Sequence, residues 1–181
     1  MKPKSNRKPG TMDNCQTPSY ALDPLILYLN KSQTIWEPAA GEGQIVQFLS
    51  RRGYKVVQSD ILDGQDYFEY QPDKWDVSIT NPPFSMKYDW MRRTYELDKP
   101  FALLLPVESI GAVKAQNLFK EYGFEWIFLS RRVNFKMPNK GYTGNGAQFP
   151  VFWLTWKLNI GQQVTFATII HRKDEQVEMV I

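Results

Sequence analysis

One cysteine, Cys15, and one histidine, His171, occur in 181 residues. A lone thiol excludes an intramolecular disulfide, and the two residues together are too few for a metal cluster. His171 lies in the polar turn HRKDEQ, so neither a histidine base nor a metal site is expected. Long apolar runs are also missing. None approaches the ~18 residues that a membrane-spanning helix requires. The first ten residues, MKPKSNRKPG, are basic with no apolar stretch behind them, which is not the pattern of a secretory signal. These absences fit a reducing, cytoplasmic setting. Charge of either sign is modest: the net charge is +3 and the pI about 8.9. That balance permits nucleic-acid binding without requiring it.

Composition is that of a globular domain, with 43% hydrophobic and 23% charged residues. Residues 1–13 are expected to be a basic, disordered segment, and 14–181 a single domain with no repeat and no second boundary. Strand and helix patterns alternate along it. Thr17-Pro18 opens an apolar-periodic stretch to Leu29, predicted as a helix with Thr17 as N-cap. Strands are expected at 34–37, 55–60, 75–80, 101–105, 124–129 and 151–156. Helices are expected at 43–52, 85–97 and 108–122. Two further β-like pieces, 164–170 and 177–181, end the chain. No helix pattern separates 124–129 from 151–156, so these two should pair antiparallel at the sheet edge. The alternation predicts an α/β fold: an open, mostly parallel sheet with an antiparallel edge strand and helices on both faces.

Three motifs sit where such a sheet places its ligands, at the carboxyl ends of strands. Asn81-Pro82-Pro83-Phe84 ends the strand at 75–80. Two prolines donate no backbone hydrogen bonds and so terminate the strand, while Asn81, preceding a proline, is held extended. The turn offers a side-chain amide, proline carbonyls and an aromatic face, which could grip a planar group bearing an exocyclic amine. Earlier, the first strand ends in Glu37-Pro38-Ala39-Ala40-Gly41-Glu42-Gly43. Gly41 and Gly43 allow close backbone approach to a ligand, and the next helix offers free N–H groups. Asp60 ends the second strand, placed to accept hydrogen bonds from ribose hydroxyls. Val46 fills the third glycine position of a GxGxxG fingerprint, so a compact adenosyl cofactor fits better than a dinucleotide.

EPAAGEG, Asp60 and NPPF, in that order, resemble the cofactor loop, ribose acid and catalytic motif of class I S-adenosylmethionine-dependent adenine-N6 methyltransferases. The small phage- and prophage-type DNA enzymes are the most similar. The resemblance spans roughly residues 14 to 157 and implies a Rossmann-like fold with S-adenosyl-L-methionine as cofactor. It implies that Thr17 and Pro18 lean on the methionine moiety, that Glu37, Pro38 and Ala39 flank that end, and that Asp66 accepts from the cofactor adenine. Asp66 suits a turn-forming role equally well. Asn81, Pro82, Pro83 and Phe84 are the implied catalytic residues, with Asn81 also bordering the cofactor and Phe84 stacking on the target base. A separate target-recognition domain, usual in restriction-modification enzymes, is not expected within these 181 residues.

The expected partner is nucleic acid, most simply DNA. Arg131 and Arg132, then Lys136 and Lys140, follow the fifth strand, and the pairs Arg51-Arg52 and Arg92-Arg93 add further charge. Any one such pair suits a solvated surface as well as a phosphate contact. The stretch 136–148 is long for a connection, which suits either a substrate-contacting loop or a mobile hairpin tip. Three activities remain open on sequence grounds: methylation of DNA adenine, the same chemistry on RNA or a protein glutamine, and a non-catalytic nucleic-acid-binding role. Trp36, Trp75, Trp126, Trp153 and Trp156 are expected in the core, with Trp90, Met86 and Met91 packing the helix after NPPF.

Overall fold

A computed structural model describes residue 13, residues 15–137, 141 and 142, and 149–170. Apart from Asp13, the basic segment expected at 1–13 lies outside the described residues, as do Lys140 and the β-like piece at 177–181.

Strand β1 (Thr34–Glu37) leads through the glycine loop into helix α1 (Gln44–Arg51), and β2 (Lys55–Gln58) returns beside β1. β3 (Val77–Thr80) runs into the NPPF turn, followed by a 3₁₀ turn and helix α2 (Lys87–Glu96). β4 (Phe101–Pro106), helix α3 (Val113–Tyr122) and β5 (Glu125–Leu129) complete the parallel set. A two-residue hairpin, β6 (Lys136–Met137) and β7 (Gly141–Tyr142), precedes β8 (Val151–Trp156) and β9 (Val164–Ala167). The seven-stranded sheet has the order β2-β1-β3-β4-β8-β5-β9. β8 is antiparallel to both β4 and β5, and β9 adds parallel to β5 beyond that pair. No described helix is long and apolar enough to cross a membrane.

Apolar side chains cover both faces, as a sheet flanked by helices requires. On β4, Ala102 and Leu104 join Ile35, Ile79 and Trp153 under α1 and the amino-terminal turns. The alternate residues Phe101, Leu103 and Leu105 pack with Met91, Tyr95, Ala115 and Phe119 of α2 and α3. A third cluster, Trp36, Tyr67, Trp75 and Trp90, fills the space beside β1 on the α2 side. Trp153 is fully buried and satisfies its indole N–H on the Ala21 carbonyl at 2.8 Å. Trp126 and Trp156 are only half-buried.

The expected helix over residues 20–29 is replaced by two 3₁₀ turns, Ser19–Ala21 and Asp23–Tyr28. Pro24 accounts for the break between them: with no N–H to donate it cannot continue the first turn, and it sits instead at the start of the second. Thr17 is therefore not an N-cap. Pro18 holds that position and no side chain caps the turn. The start of the helix expected at 108 is likewise a 3₁₀ turn, Val107–Gly111.

Candidate active site

The carboxyl ends of β1, β2 and β3 open into a cleft closed on one side by the amino-terminal arm, Asp13 to Thr17. The ends of β1 and β2 are sewn together first. Ser59 N–H donates to the Glu37 carbonyl at 2.9 Å, and Ala40 N–H to the Ser59 carbonyl at 3.2 Å. Asp60 then receives two amides, Gly41 N–H on Oδ2 and Leu62 N–H on Oδ1, both at 2.9 Å. Each carboxylate oxygen keeps a lone pair for a further donor. Asp60 thus caps the turn after β2, steadies the glycine loop and still borders the cleft.

The two glycines differ in what they make possible. Gly41 has φ +52°, and a Cβ there would come within 2.7 Å of the Gln16 amide nitrogen. Its bareness makes room for a side chain of this protein, where the sequence suggested a ligand. Gly43 has φ +78°, and the nearest atom a Cβ would meet is the Gln47 amide at 3.8 Å. Gly43 begins α1 with no side-chain cap, so that helix start presents bare backbone.

Thr17, Pro38, Ala39, Gly41, Asp60, Asp66, Asn81 and Pro83 all line the cleft. Thr17 is buried, and its hydroxyl has no hydrogen-bond partner among the described residues. Asp66 forms the local turn, its Oδ1 accepting the Phe68 N–H at 3.0 Å, and the residue also borders the cleft. Glu37 stands behind the wall, fully buried, with Oε1 accepting the Ala39 N–H at 2.9 Å. Burial pushes its carboxyl from 4.5 up to about 8, against smaller opposite pulls from the Thr80 hydroxyl and Ala39 N–H. Burial also raises the Cys15 thiol to about 11, which keeps it protonated and a poor nucleophile.

At the NPPF turn, Asn81 is fixed from the arm. Its Nδ2 donates to the Cys15 carbonyl at 2.9 Å, and its Oδ1 is buried with no partner among the described residues. Ser85, the next residue after the motif, is held by the Asp13 carboxylate through its N–H at 3.1 Å and its hydroxyl at 2.5 Å. Phe84 is buried and packs edge-on against Phe135 at 6.1 Å and Phe149 at 5.6 Å. Its ring therefore joins the motif to the two roots of the 136–148 stretch and is not among the cleft-lining residues.

Arg131 and Arg132 are exposed just beyond the carboxyl end of β5, at the same end of the sheet as Asn81 beyond β3. Lys136 is turned to the glycine loop, its Nζ 3.2 Å from Glu42 Oε2. Pro18, Pro82 and Gly43 stay outside the cleft wall.

Sequence reasoning missed several lining residues. Ile61 and Leu62 follow Asp60 and are exposed beside the cleft. Two apolar residues directly after a strand-end acid are the signal that could have found them. Tyr67 and Trp90 stack at 3.9 Å and reach the cleft together with Met86. They serve as core and wall at once. Gln16 also lines the cleft, next to the Thr17-Pro18 pair that the sequence singled out.

No family model and no curated protein matches the sequence. Solved structures do share its fold. A Listeria monocytogenes protein assigned to the class I S-adenosylmethionine-dependent methyltransferases aligns over 87% of this chain and 66% of its own, with a TM-score of 0.54 and 13% identity. A modification subunit assigned to a type I restriction enzyme of Vibrio vulnificus aligns over 83% of this chain and 44% of its own, at TM-score 0.45 and 11% identity. A release-factor-specific protein-(glutamine-N5) methyltransferase of Alicyclobacillus acidocaldarius aligns over 76% and 89%, at TM-score 0.41 and 18% identity. The chain spans less than half of the Vibrio protein and about two thirds of the Listeria one. From the sheet order, the helices on both faces and the Listeria likeness, we conclude that the chain has the Rossmann-like class I methyltransferase fold.

Proposed function

We propose that this chain transfers a methyl group from S-adenosyl-L-methionine to the exocyclic N6 amine of adenine in DNA. The observation that carries the proposal is the amide of Asn81, held by the Cys15 carbonyl with its Oδ1 left buried and unpartnered beside the cleft. A buried acceptor without a donor is costly, on the order of 1–3 kcal/mol, and an amine N–H is the donor that would relieve it.

The residues present suit the cofactor. Asp60 has lone pairs to spare for ribose hydroxyls, and the unpartnered Thr17 hydroxyl suits the polar methionine end. Ile61, Leu62 and Phe68 provide apolar surface for the adenine ring, with Asp66 beside them as an acceptor. When bound, S-adenosylmethionine supplies an electrophilic methyl group.

The chain's own part is to position and to accept hydrogen bonds. An aryl amine is a weak nucleophile because its lone pair is delocalised into the ring. Asn81 Oδ1 and the Pro82 carbonyl would each accept one amine N–H, which localises that lone pair on nitrogen. The nitrogen becomes acidic as it takes on positive charge, so its proton can leave to water without a strong base. Such preorganised acceptors, and the alignment they enforce, are the main sources of acceleration available here. Arg131 and Arg132 would contact the phosphates. The ring of Phe84 would need to leave Phe135 and Phe149 to stack on a flipped base, so we assign it the packing of the motif instead.

The test is transfer of labelled methyl from S-adenosylmethionine to unmethylated DNA, RNA and protein in parallel, followed by digestion and mass identification of the modified unit. N6-methyladenine in DNA is the expected product. Label in RNA adenine or in glutamine would keep the chemistry and move the acceptor. Asn81→Ala is expected to cut transfer by about 10²–10³-fold while S-adenosylhomocysteine binds with near-unchanged affinity. Undiminished transfer by that variant would overturn the mechanism.

A further inference from the structure

Gln16 is where three parts of the site meet. Its backbone forms an antiparallel bridge with Lys136 at the start of the β6–β7 hairpin, N–H to O at 2.9 Å in one direction and 3.1 Å in the other. Its side-chain Oε1 accepts the Glu42 N–H of the glycine loop at 3.2 Å. The amide lies over Gly41, whose missing Cβ gives it room, and its chain neighbour Cys15 holds Asn81. Gln16 is itself 9% exposed. The second link between loop and hairpin, Lys136 to Glu42, is a half-exposed ion pair, a type that contributes about 0–1 kcal/mol.

We propose that Gln16 is a positioning residue that couples occupancy of the cofactor cleft to the placement of the β6–β7 hairpin on the acceptor side. The proposal rests on the cofactor reading above. A ligand that orders the Gly41–Gly43 backbone also fixes the Glu42 N–H, and thereby the Gln16 side chain that accepts from it. The Gln16 backbone in turn fixes the first strand of the hairpin. Coupling of this kind is reciprocal, so an acceptor that orders the hairpin tightens cofactor binding by the same factor.

Amide hydrogen exchange on the full chain, with and without saturating S-adenosylhomocysteine, tests this without an acceptor. In the wild type, ligand is expected to slow exchange at Gly41 to Gly43 and, by about fivefold or more, at Lys136, Met137, Gly141 and Tyr142. Gln16→Met keeps the backbone bridge and the side-chain length but removes the acceptor. It is expected to retain slowing at the glycine loop and lose it at the hairpin. Gln16→Glu keeps an acceptor oxygen and is expected to restore the hairpin response, which a purely structural role would not require. An undiminished hairpin response in Gln16→Met overturns the coupling, as does its failure to return in Gln16→Glu. No slowing at Gly41 to Gly43 in the wild type would instead overturn the cofactor assignment, and the coupling with it.

Discussion

On the glycine-loop side of the cleft, directional polar contacts do the holding: Gly41 and Leu62 N–H groups converge on Asp60, Ala39 N–H meets Glu37, and Glu42 N–H meets Gln16. On the other side the NPPF turn is anchored by rings, Phe84 against Phe135 and Phe149, with Asn81 and Ser85 tied back to the arm. The difference follows from what each side must do. A glycine loop has few side chains to pack, so backbone amides and strand-end acids must hold its shape. A turn with two prolines has few donors, so packing must hold it instead. Hydrogen bonds fix angles, whereas apolar contacts resist separation and tolerate some sliding. Hydrogen bonds thus set the orientation of the loop, and the NPPF side is held by burial.

The sharpest way to break this contrast is Phe84→Ala. Losing a buried ring from between Phe135 and Phe149 is expected to cost about 3–5 kcal/mol, read as a lowered denaturation midpoint. If the two sides are held independently, cofactor affinity measured below that midpoint should change little. A large loss of affinity would show that ring packing also shapes the glycine loop. Gly41→Ala probes the other side with a smaller effect. At φ +52° an alanine costs about 1–2 kcal/mol, and its Cβ must displace the Gln16 amide. Weaker S-adenosylhomocysteine binding in calorimetry, with only a modest fall in melting temperature, is expected.

Glu37 gives the subtlest test, because its burial acts through pH. In the folded chain its carboxyl holds a proton up to about 8, whereas at its ordinary value of 4.5 the unfolded chain has already released it. Between these values the folded state binds more protons than the unfolded state. Glu37's contribution to stability is therefore fully present below about 4.5 and is lost as pH rises toward about 8. Glu37→Gln keeps the shape without the titration. Melting temperatures of the two proteins should run close together at pH 5, with the variant gaining relative to the wild type by pH 8.5. Parallel profiles across that range would mean that Glu37 is ionised in the folded chain.

Much of the strand framework was legible before any coordinates. Thr34–Glu37 and Val151–Trp156 fall where expected, because short apolar runs bounded by turn formers leave few other placements. The segment after Thr17 has the apolar spacing of a helix, but that spacing takes no account of Pro24, and the chain forms two 3₁₀ turns there instead. Phe84 was expected at an open face and lies in a core. Its motif announces an aromatic, but the rings that enclose it stand 51 and 65 residues further on.

The sequence by itself determined which residues stand at or just beyond the strand ends at the cleft: Glu37 and the glycines after it, Asp60 two residues past β2, and Asn81 between β3 and its prolines. These placements follow from local chemistry, since proline lacks a donor and glycine accepts positive φ. Tertiary structure alone decided what those residues touch. Gln16 reaches Glu42 across 26 residues of chain, and Asp13 reaches Ser85 across 72. Such pairings depend on the order β2-β1-β3-β4 in the sheet, which brings the strand ends together and lays the arm over them. A short polar side chain has no periodicity or propensity to reveal a partner so distant in sequence, and only the packed sheet supplies one.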